Sequence, residues 1–407
     1  MARIVKKFGG TSVGDVDRIR NVAARVAKAF KAGDEIAVVV SAMSGTTNQL
    51  VGFCRDAAPM HDAREYDTVV SAGEQITVGL LAIALQEMGI PARSFLGWQI
   101  PIRTNNIHGS ARIEDIETEA LEACLKGGRV AVIAGFQGLA KDNRITTLGR
   151  GGSDTSAVAI AAALKADRCD IYTDVDGVYT TDPRIVPKAR KLDKITHEEM
   201  LEMASLGAKV LQTRSVALAM VHGVRTQVLS SFEDKPGTLV VGEDEIVEKE
   251  VVTGIAYSRG EAKVTVVGLE DTPGRVSNLF GPLAEGSVNV DMIVQSASDN
   301  GRSTDVTFTV PEDDLKRAVA ILEGEKQALK YTDLLYTGDV VKVSVVGVGM
   351  RSHAGVARKM FDTLATKGIN VQVIATSEIK ISVIIDAQYT ELAVRALHTA
   401  YGLDAVE

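Results

Sequence analysis

Short apolar runs without polar interruption are the feature that most restricts how this chain can fold. The predicted strands lie at residues 35–40, 129–134 and 170–173. Apolar residues at helical spacing predict helices at residues 15–29, 75–88 and 155–164. Strands that lack polar alternation are buried on both faces, which is typical of a mainly parallel sheet covered by crossover helices. The sequence therefore predicts a three-layer αβα domain of the α/β class with a mainly parallel sheet over residues 1–245.

The C-terminal part of the chain repeats itself at an offset of about 80 residues. KVTVVGL at Lys263–Leu269 matches KVSVVGV at Lys342–Val348. Each copy reads β-α-β-β-α, one strand short of the βαββαβ ferredoxin-like unit. The later strands of the two copies are predicted at residues 286–290 and 303–310, and at residues 368–371 and 380–386.

Each copy needs one further strand to complete the βαββαβ unit. Residues 331–336 can complete the first copy, and we predict that residues 251–257 add to the sheet of the second. The charged run GEDEIVEKE, which begins at Gly242, precedes that strand and indicates a domain junction. The predicted domains are therefore residues 1–245, a linker with its added strand at 246–262, the first repeat at 263–337 and the second at 338–407.

Composition excludes several classes of protein. Forty-five basic against fifty-three acidic side chains give a net charge of −8, which argues against a nucleic-acid or anionic-membrane partner. Cys54, Cys124 and Cys169 are odd in number and widely spaced, so neither a disulfide framework nor a metal site is expected. The N-terminus lacks a signal-peptide pattern, and the longest apolar helical stretch, Ala157–Leu164, is too short to span a bilayer. The expected location is the cytoplasm.

Three turns in the first domain are rich in small residues and follow predicted strands. They are KFGGTS at Lys7–Ser12, SAMSGTT at Ser41–Thr47 and GRGGSD at Gly149–Asp154. Glycines allow close backbone approach, and a helix start presents unpaired N–H groups to an anion. We expect the three turns to meet at the carboxyl edge of one sheet and to form a phosphate site. The residues alone leave open that Ser41 and Ser153 only cap helices.

Five sequence strings in this order are similar to those of one family. They are KFGGTSVG from Lys7, VVVSAMSGTTNQL from Val38, SAGEQ from Ser71, TTLGRGGSDTSAVA from Thr146 and TDVDGVYTTDPR from Thr173. Together with the tandem repeat, they resemble the aspartate kinases, which have an amino-acid-kinase domain followed by two ACT domains. The resemblance implies transfer of the ATP γ-phosphoryl group to the β-carboxylate of L-aspartate, which gives 4-phospho-L-aspartate. This is the first step of lysine, threonine and methionine biosynthesis, and Mg²⁺ would be held mainly by the nucleotide phosphates.

The resemblance also implies roles for individual residues. Lys7 is the expected phosphate-binding catalytic residue, oriented by Asp154, whereas the adjacent Lys6 points to the opposite face of its strand. Glu74 is expected to bind the substrate α-ammonium, and Arg150 the α-carboxylate. The positions implied for ATP are Lys7, Gly9, Gly10, Ser41, Thr173, Asp174, Tyr179, Asp182, Arg184 and Lys209. The positions implied for aspartate are Ser41, Thr47, Glu74, Arg150, Gly151, Gly152 and Ser153.

Paired ACT domains imply feedback inhibition by lysine, threonine or both. The effector positions implied are Asp271, Gly274, Val276, Asn289, Asp291 and Gln295 in the first copy, and Asn370, Val371, Ser377 and Glu378 in the second. A homo-oligomer assembled through the ACT domains is expected, and participation of a separate ACT-only chain is left open. Two alternatives also stay open: another amino-acid kinase of this fold, and an inactive amino-acid sensor. Intact Lys7, Arg150 and Asp154 favour an active kinase, and Glu74 favours a substrate with a free ammonium group.

Overall fold

A computed structural model of the chain describes residues 1–207, 210–246, 250–297 and 303–405. These residues form two compact units. The described residues of the first unit are 1–178, 191–204 and 210–246. Those of the second unit are 179–190, 205–207, 250–297 and 303–405. One stretch of the predicted catalytic domain, residues 179–190, therefore packs with the second unit.

The first unit alternates strands and helices along the chain. Its strands are β1 (Arg3–Phe8), β2 (Glu35–Val40), β3 (Ala92–Phe95), β4 (Ile102–Thr104), β5 (Ile113–Ile116), β6 (Val130–Ala134), β7 (Gln137–Leu139), β8 (Ile145–Thr147), β9 (Arg168–Thr173), β10 (Lys194–Thr196), β11 (Thr226–Ser230) and β12 (Thr238–Val241). Its helices are α1 (Val16–Lys31), α2 (Thr46–Ala57), α3 (Ala63–Val70), α4 (Ala72–Glu87), α5 (Glu119–Lys126), α6 (Gly152–Ala163), α7 (His197–Ser205) and α8 (Thr213–His222). The predicted strands at 35–40, 129–134 and 170–173 correspond to β2, β6 and β9.

The main sheet of this unit has eight strands in the order β10-β12-β11-β9-β1-β2-β6-β3. Its pairs are parallel except for the antiparallel pair β11–β12. Ile4 and Phe8 of β1 pack with α1 and α4 on one face. Lys7 contacts α6 on the other face. Both faces are therefore covered, and the predicted mainly parallel α/β class is confirmed.

A smaller sheet corrects one expectation about the three turns. It has four strands in the order β5-β4-β7-β8, and the turn that starts at Gly149 follows β8 of this sheet. The prediction that all three turns end strands of the same sheet is therefore wrong. The hairpin β7–β8 returns the chain to the end of β6, because Leu148 N donates to Phe136 O at 2.9 Å. The third turn thus reaches the same edge through a hairpin.

The helical stretch Ala63–Glu87 corrects a second expectation. By length and composition it could cross a membrane, whereas Ala157–Leu164 was expected to be the longest apolar helical stretch. About 50% of its apolar window is buried inside the protein, and Leu81 and Leu85 belong to the core beside the main sheet. Such burial is what the core helix of a compact unit shows.

The second unit is built around an antiparallel sheet. Its strands are β13 (Gly254–Glu270), β14 (Asp291–Ala297), β15 (Ser303–Pro311), β16 (Asp333–Val346), β17 (Val373–Thr376) and β18 (Lys380–Asp386). Its helices are α9 (Arg275–Glu285), α10 (Leu315–Gly324), α11 (Lys326–Leu329), α12 (Val356–Thr366) and α13 (Thr390–Ala400). The strand order is β14-β15-β13-β16-β18-β17.

Two long strands join the repeats into this one sheet. The first part of β13 pairs with the end of β16, with Gly254 opposite Val346. The second part of β13 pairs with the start of β16, with Val264 opposite Tyr336. The predicted added strand at residues 251–257 therefore begins at Gly254 and lies in the second copy.

The strands predicted at residues 286–290 and 368–371 are wrong. These residues are turns and loops, and β14 and β17 begin only at Asp291 and Val373. Ser287 and Gly368 adopt φ values of 55° and 68° as the preceding helices end. An extended strand cannot start through that left-handed backbone. Val288 and Ile369 resemble strand residues in sequence because they are buried core residues.

Candidate active site

Parallel pairing brings the first two turns together. Lys7 of β1 lies opposite Val39 of β2 in register, so the two strands end side by side. Ser41 N then donates to Phe8 O at 3.1 Å, just beyond the paired residues. The helix α2 begins after Gly45, whose φ of 82° favours glycine. The two turns therefore form one side of a cleft.

This cleft has a volume of about 460 Å³ and lies within the first unit. It contains residues from all three predicted turns together with Glu74 from the start of α4. The predicted site residues that line it are Lys7, Gly10, Ser41, Thr47, Glu74, Arg150, Gly151, Gly152, Ser153 and Asp154. Its further lining residues are Thr11, Ala42, Met43, Ser44, Gly45, Phe136, Gly149 and Gln212.

Lys7 and Lys6 have different partners, as strand alternation predicts. Lys7 Nζ lies 2.6 Å from Asp154 Oδ1 at the start of α6. Lys6 Nζ lies 3.0 Å from Asp170 Oδ2 and donates to Tyr172 Oη at 3.2 Å. Only Lys7 lines the cleft, so it is the lysine that can meet a phosphate there. If Asp154 orients Lys7, the two side chains must be in contact, and they are.

Glu74 is a buried carboxyl group whose two oxygens differ in their hydrogen bonding. Its side chain accepts a hydrogen bond from Ala42 N at 3.0 Å through Oε1. The other oxygen, Oε2, is buried and has no hydrogen-bond partner among the residues that the structure describes. Burial raises the pKa of Glu74 to about 7, against the opposing effect of the hydrogen bond from Ala42. A buried oxygen without a partner is costly unless a ligand pairs with it, so this atom marks a position for a cation or a hydrogen-bond donor.

The third turn has a backbone that only glycine accommodates easily. Gly151 has a φ of 70°, and a Cβ atom there would lie 2.0 Å from Cγ of Gln212. Arg150, the preceding residue, is exposed at the rim. Gln212 and Phe136 both line the cleft, and neither is predicted from the sequence. The φ of 69° at Phe136 is unusual for a bulky residue, but no local sequence signal indicates it.

The predicted nucleotide positions fall into two groups. Thr173 ends β9 in the first unit and Asp174 follows it, and Thr173 Oγ1 donates to Asp174 Oδ1 at 3.1 Å. Tyr179, Asp182 and Arg184 belong to the second unit. Lys209 lies outside the described residues.

Within the second unit, Asp182 is held by two neighbours. It accepts from Arg184 N at 2.9 Å and from Arg184 Nε at 3.0 Å. Tyr257 Oη donates to its Oδ2 at 3.2 Å. The hydrogen bonds from Arg184 lower the pKa of Asp182, so this carboxyl group is held in its charged form.

The predicted effector positions lie on exposed turns and edge strands of the second unit. In the first copy they occupy the turn after β13, the first turn of α9 and the region of β14: Asp271, Gly274, Val276, Asn289, Asp291 and Gln295. In the second copy they flank β17: Asn370, Val371, Ser377 and Glu378. The edge strands β14 and β17 contribute Met292 and Val373 to one apolar cluster, which brings the two sets near each other. Asp291 also pairs with the buried Lys342 of β16 at 2.7 Å.

The fold and the cleft define a class of protein. A mainly parallel sheet covered by helices, followed by a tandem repeat that shares one antiparallel sheet, is the architecture expected of an amino-acid kinase with ACT domains. Residues 2–230 match the amino acid kinase family, and residues 264–325 and 343–401 match the ACT domain.

Similar proteins indicate which kind of amino-acid kinase this chain is. The chain is 55% identical to the aspartokinase of Pseudomonas aeruginosa, over 100% of this chain and 98% of that protein. It is 49% identical to the aspartokinase of Mycolicibacterium smegmatis, over 99% of this chain and 97% of that protein. The chain therefore belongs to the aspartate kinase family, and it is an ATP-dependent phosphotransferase. The expected family is confirmed.

A solved structure supports the same assignment over the whole chain. Escherichia coli aspartokinase III in complex with aspartate and ADP, in its R-state, is 28% identical and has a TM-score of 0.83. The comparison covers 98% of this chain and 99% of that chain. The same enzyme in complex with lysine and aspartate, in its T-state, has a TM-score of 0.79 at 27% identity and covers 97% of this chain and 98% of that chain.

Proposed function

We propose that the cleft binds L-aspartate between Glu74 and Arg150 and presents its β-carboxylate to the γ-phosphate of ATP beside Lys7. The unpartnered Oε2 of Glu74 carries this proposal. An α-ammonium group would supply the missing hydrogen bonds and the positive charge that keeps Glu74 ionised. Arg150 offers the planar fork that suits the α-carboxylate. Both side chains line the cleft that contains Lys7.

The acceptor needs no general base in this reaction. A β-carboxylate with a pKa near 3.9 is already ionised at neutral pH. One of its oxygens forms a bond to the γ-phosphorus while the bond to the bridging oxygen breaks, and ADP leaves with that electron pair. The obstacle is the repulsion between two anions. A cation about 4 Å from the transferring group stabilises it by roughly 4 kcal/mol at an effective dielectric constant near 20, which is the role of Lys7.

Magnesium fits this cleft as a companion of the nucleotide. The carboxylates that line the cleft are Glu74 and Asp154, and Asp154 is in contact with Lys7. Few protein oxygens are left for a metal ion there, so the phosphates of ATP would supply most of its ligands. When bound, the ion neutralises phosphate charge. We place this biosynthetic reaction in the cytoplasm.

The effector is proposed to bind where the two ACT copies meet. Lysine is bound by the related E. coli aspartokinase III, and exposed Asp291 and Glu378 are suitable partners for an ammonium group. Lysine, threonine or both are the proposed inhibitors, and a homo-oligomer through the ACT sheets is the proposed assembly. Titrating activity with lysine, threonine and their mixture, in the wild type and in Asp291→Ala, tests this. Unchanged inhibition in Asp291→Ala would remove that residue from the effector site.

One experiment tests the substrate assignment directly. Glu74→Gln is assayed with aspartate, and with succinate, which lacks the ammonium group, as a competitive inhibitor. We expect the KM for aspartate to rise at least tenfold while the Ki of succinate changes less than twofold. An equal loss for both ligands would show that Glu74 does not recognise the ammonium group.

A further inference from the structure

Asp67 is a fully buried acid that no part of the proposed chemistry uses. It lies on α3, and its side chain is 0% exposed. Its carboxylate accepts from His108 Nδ1 at 2.8 Å, from Gly109 N at 3.1 Å and from Thr147 N at 3.0 Å. Thr147 Oγ1 donates to it at 2.5 Å. A buried charge with this many donors holds its partners in one arrangement, because any displacement leaves it unpaired.

Those partners belong to two segments that lead to the third turn. Thr147 is the last residue of β8, three positions before Arg150. The loop at residues 108–111 lies against the same turn, since a Cβ on Gly149 would be 3.2 Å from Gly109 O. Ala111 N donates to Thr147 O at 2.9 Å and closes the contact between the two segments.

Arg214 of α8 fixes the opposite side of this arrangement. Its Nη1 donates to Leu148 O at 2.9 Å, and its Nη2 donates to Ala111 O at 2.8 Å. The backbone at residues 147–149 is therefore held from α3 on one side and from α8 on the other. Arg150 is the first side chain of the turn that extends beyond these constraints.

The helices α3 and α4, which follow each other directly, connect Asp67 to both sides of the proposed substrate site. Asp67 is followed by Ser71 at the junction of α3 and α4, and Glu74 lies in the first turn of α4. We infer that Asp67 is a positioning residue that sets the distance between the ammonium-binding Glu74 and the carboxylate-binding Arg150. It acts through Thr147 and Gly109, without touching substrate. The inference rests on the proposed role of Arg150.

The expected consequence is selective for aspartate. Asp67→Asn removes the charge and points an amide N–H₂ at backbone donors, with little change in volume. We expect the KM for aspartate to rise roughly 5- to 150-fold, the range for a buried polar group left unpaired. The KM for ATP should stay within twofold. A residue that only stabilised the fold would lower the melting temperature or the active fraction and leave both KM values unchanged.

A second pair of variants keeps the test decisive if Asp67→Asn folds poorly. Thr147→Val removes one donor to Asp67 and should raise the KM for aspartate, whereas Thr147→Ser keeps the hydroxyl and should restore it. The matched control is Asp62→Asn, because exposed Asp62 caps the same helix α3 and Asn also caps well; both KM values should stay unchanged. Equal KM values for aspartate in Thr147→Val, Asp67→Asn and wild type would overturn the inference.

Arg150→Gln separates this inference from the proposal on which it rests. If Arg150→Gln leaves the KM for aspartate unchanged, the proposed carboxylate site is wrong. If Arg150→Gln raises that KM but Asp67→Asn and Thr147→Val do not, the site stands and the positioning role of Asp67 is wrong.

Discussion

The ammonium nitrogen of Lys7 lies 2.6 Å from Oδ1 of Asp154, and both side chains are 11% exposed. The pair joins the carboxyl end of β1 to the first turn of α6. A lysine held in this way keeps its charge aimed into the cleft before any nucleotide arrives, so less reorganisation is needed during phosphoryl transfer.

Replacing Lys7 should abolish most of the chemistry without unfolding the protein. For Lys7→Ala we expect a loss of about 100- to 1,000-fold in kcat, the usual effect of removing one group that stabilises developing charge. Asp154→Asn should lose less, since the lysine remains. Steady-state kinetics with saturating ATP and aspartate measure both.

The neighbouring lysine is the control for this result. Lys6→Met leaves the cleft intact and removes one of two cations paired with buried Asp170, while Arg168 remains. It should therefore cost about 1–3 kcal/mol of stability and little kcat per folded molecule. A larger kcat loss in Lys6→Met than in Lys7→Ala would reverse the assignment of the two lysines.

Glu74 should make aspartate binding depend on pH. Its pKa of about 7 in the free protein means that the carboxyl group becomes neutral as the pH falls below 7, and the neutral form no longer attracts an ammonium group. The KM for aspartate should therefore rise about tenfold per pH unit below pH 7. Glu74→Gln should remove this dependence, and a profile that is flat in the wild type between pH 5.5 and 8 would contradict it.

The same group should reduce stability at high pH. The pKa of Glu74 is raised on folding, so the carboxyl group contributes stability while protonated, and that stability is lost as the pH rises from about 4.5 through 7. Glu74→Gln stays neutral, so it should be more stable than the wild type by up to about 3 kcal/mol at pH 8. At pH 4.5 the difference should vanish. Denaturant unfolding at both values measures it.

A methyl group at Gly151 should displace the turn that carries Arg150. The added Cβ would meet Gln212 at 2.0 Å on a backbone with a φ of 70°, so Gly151→Ala must move either the turn or α8. We expect a clear rise in the KM for aspartate. Gly33→Ala is the matched control, because the φ of Gly33 is 96° and no atom of the described residues, its chain neighbours aside, lies within 4 Å of an added Cβ. It should cost only about 1–2 kcal/mol of backbone strain, with kinetics unchanged.

His398 should make the second unit sensitive to acid. Burial lowers the pKa of this histidine, although Asp404 partly opposes the effect, so the neutral ring is favoured on folding. Thr180 Oγ1 lies 2.8 Å from Nε2 of the ring, and Asp404 Oδ1 lies 2.8 Å from Nδ1. The stabilisation is present above the unfolded pKa of about 6.5 and is lost as the pH falls below it. Melting curves between pH 7.5 and 5 should show a smaller acid shift for His398→Gln than for the wild type.

Local patterns in the sequence determined the main sheet, the three small-residue turns and the tandem repeat. Apolar runs indicate which faces of a strand are buried, and glycines indicate where the backbone must bend. Both signals come from residues that are close together in the sequence. The five motif strings were sufficient to indicate the aspartate kinase family. The same patterns misplaced the starts of β14 and β17, because buried Val288 and Ile369 resemble strand residues although their backbone is a turn.

Contacts between distant residues decided the rest. The pKa of Glu74 is raised because segments distant in sequence bury its carboxyl group. No sequence motif indicates a role for Asp67, whose hydrogen-bond partners lie 41 to 80 positions away. The third turn reached the cleft from a separate small sheet, and residues 179–190 packed with the second unit. Desolvation and hydrogen-bond geometry arise only when remote segments are folded against one another, so only the tertiary structure could supply them.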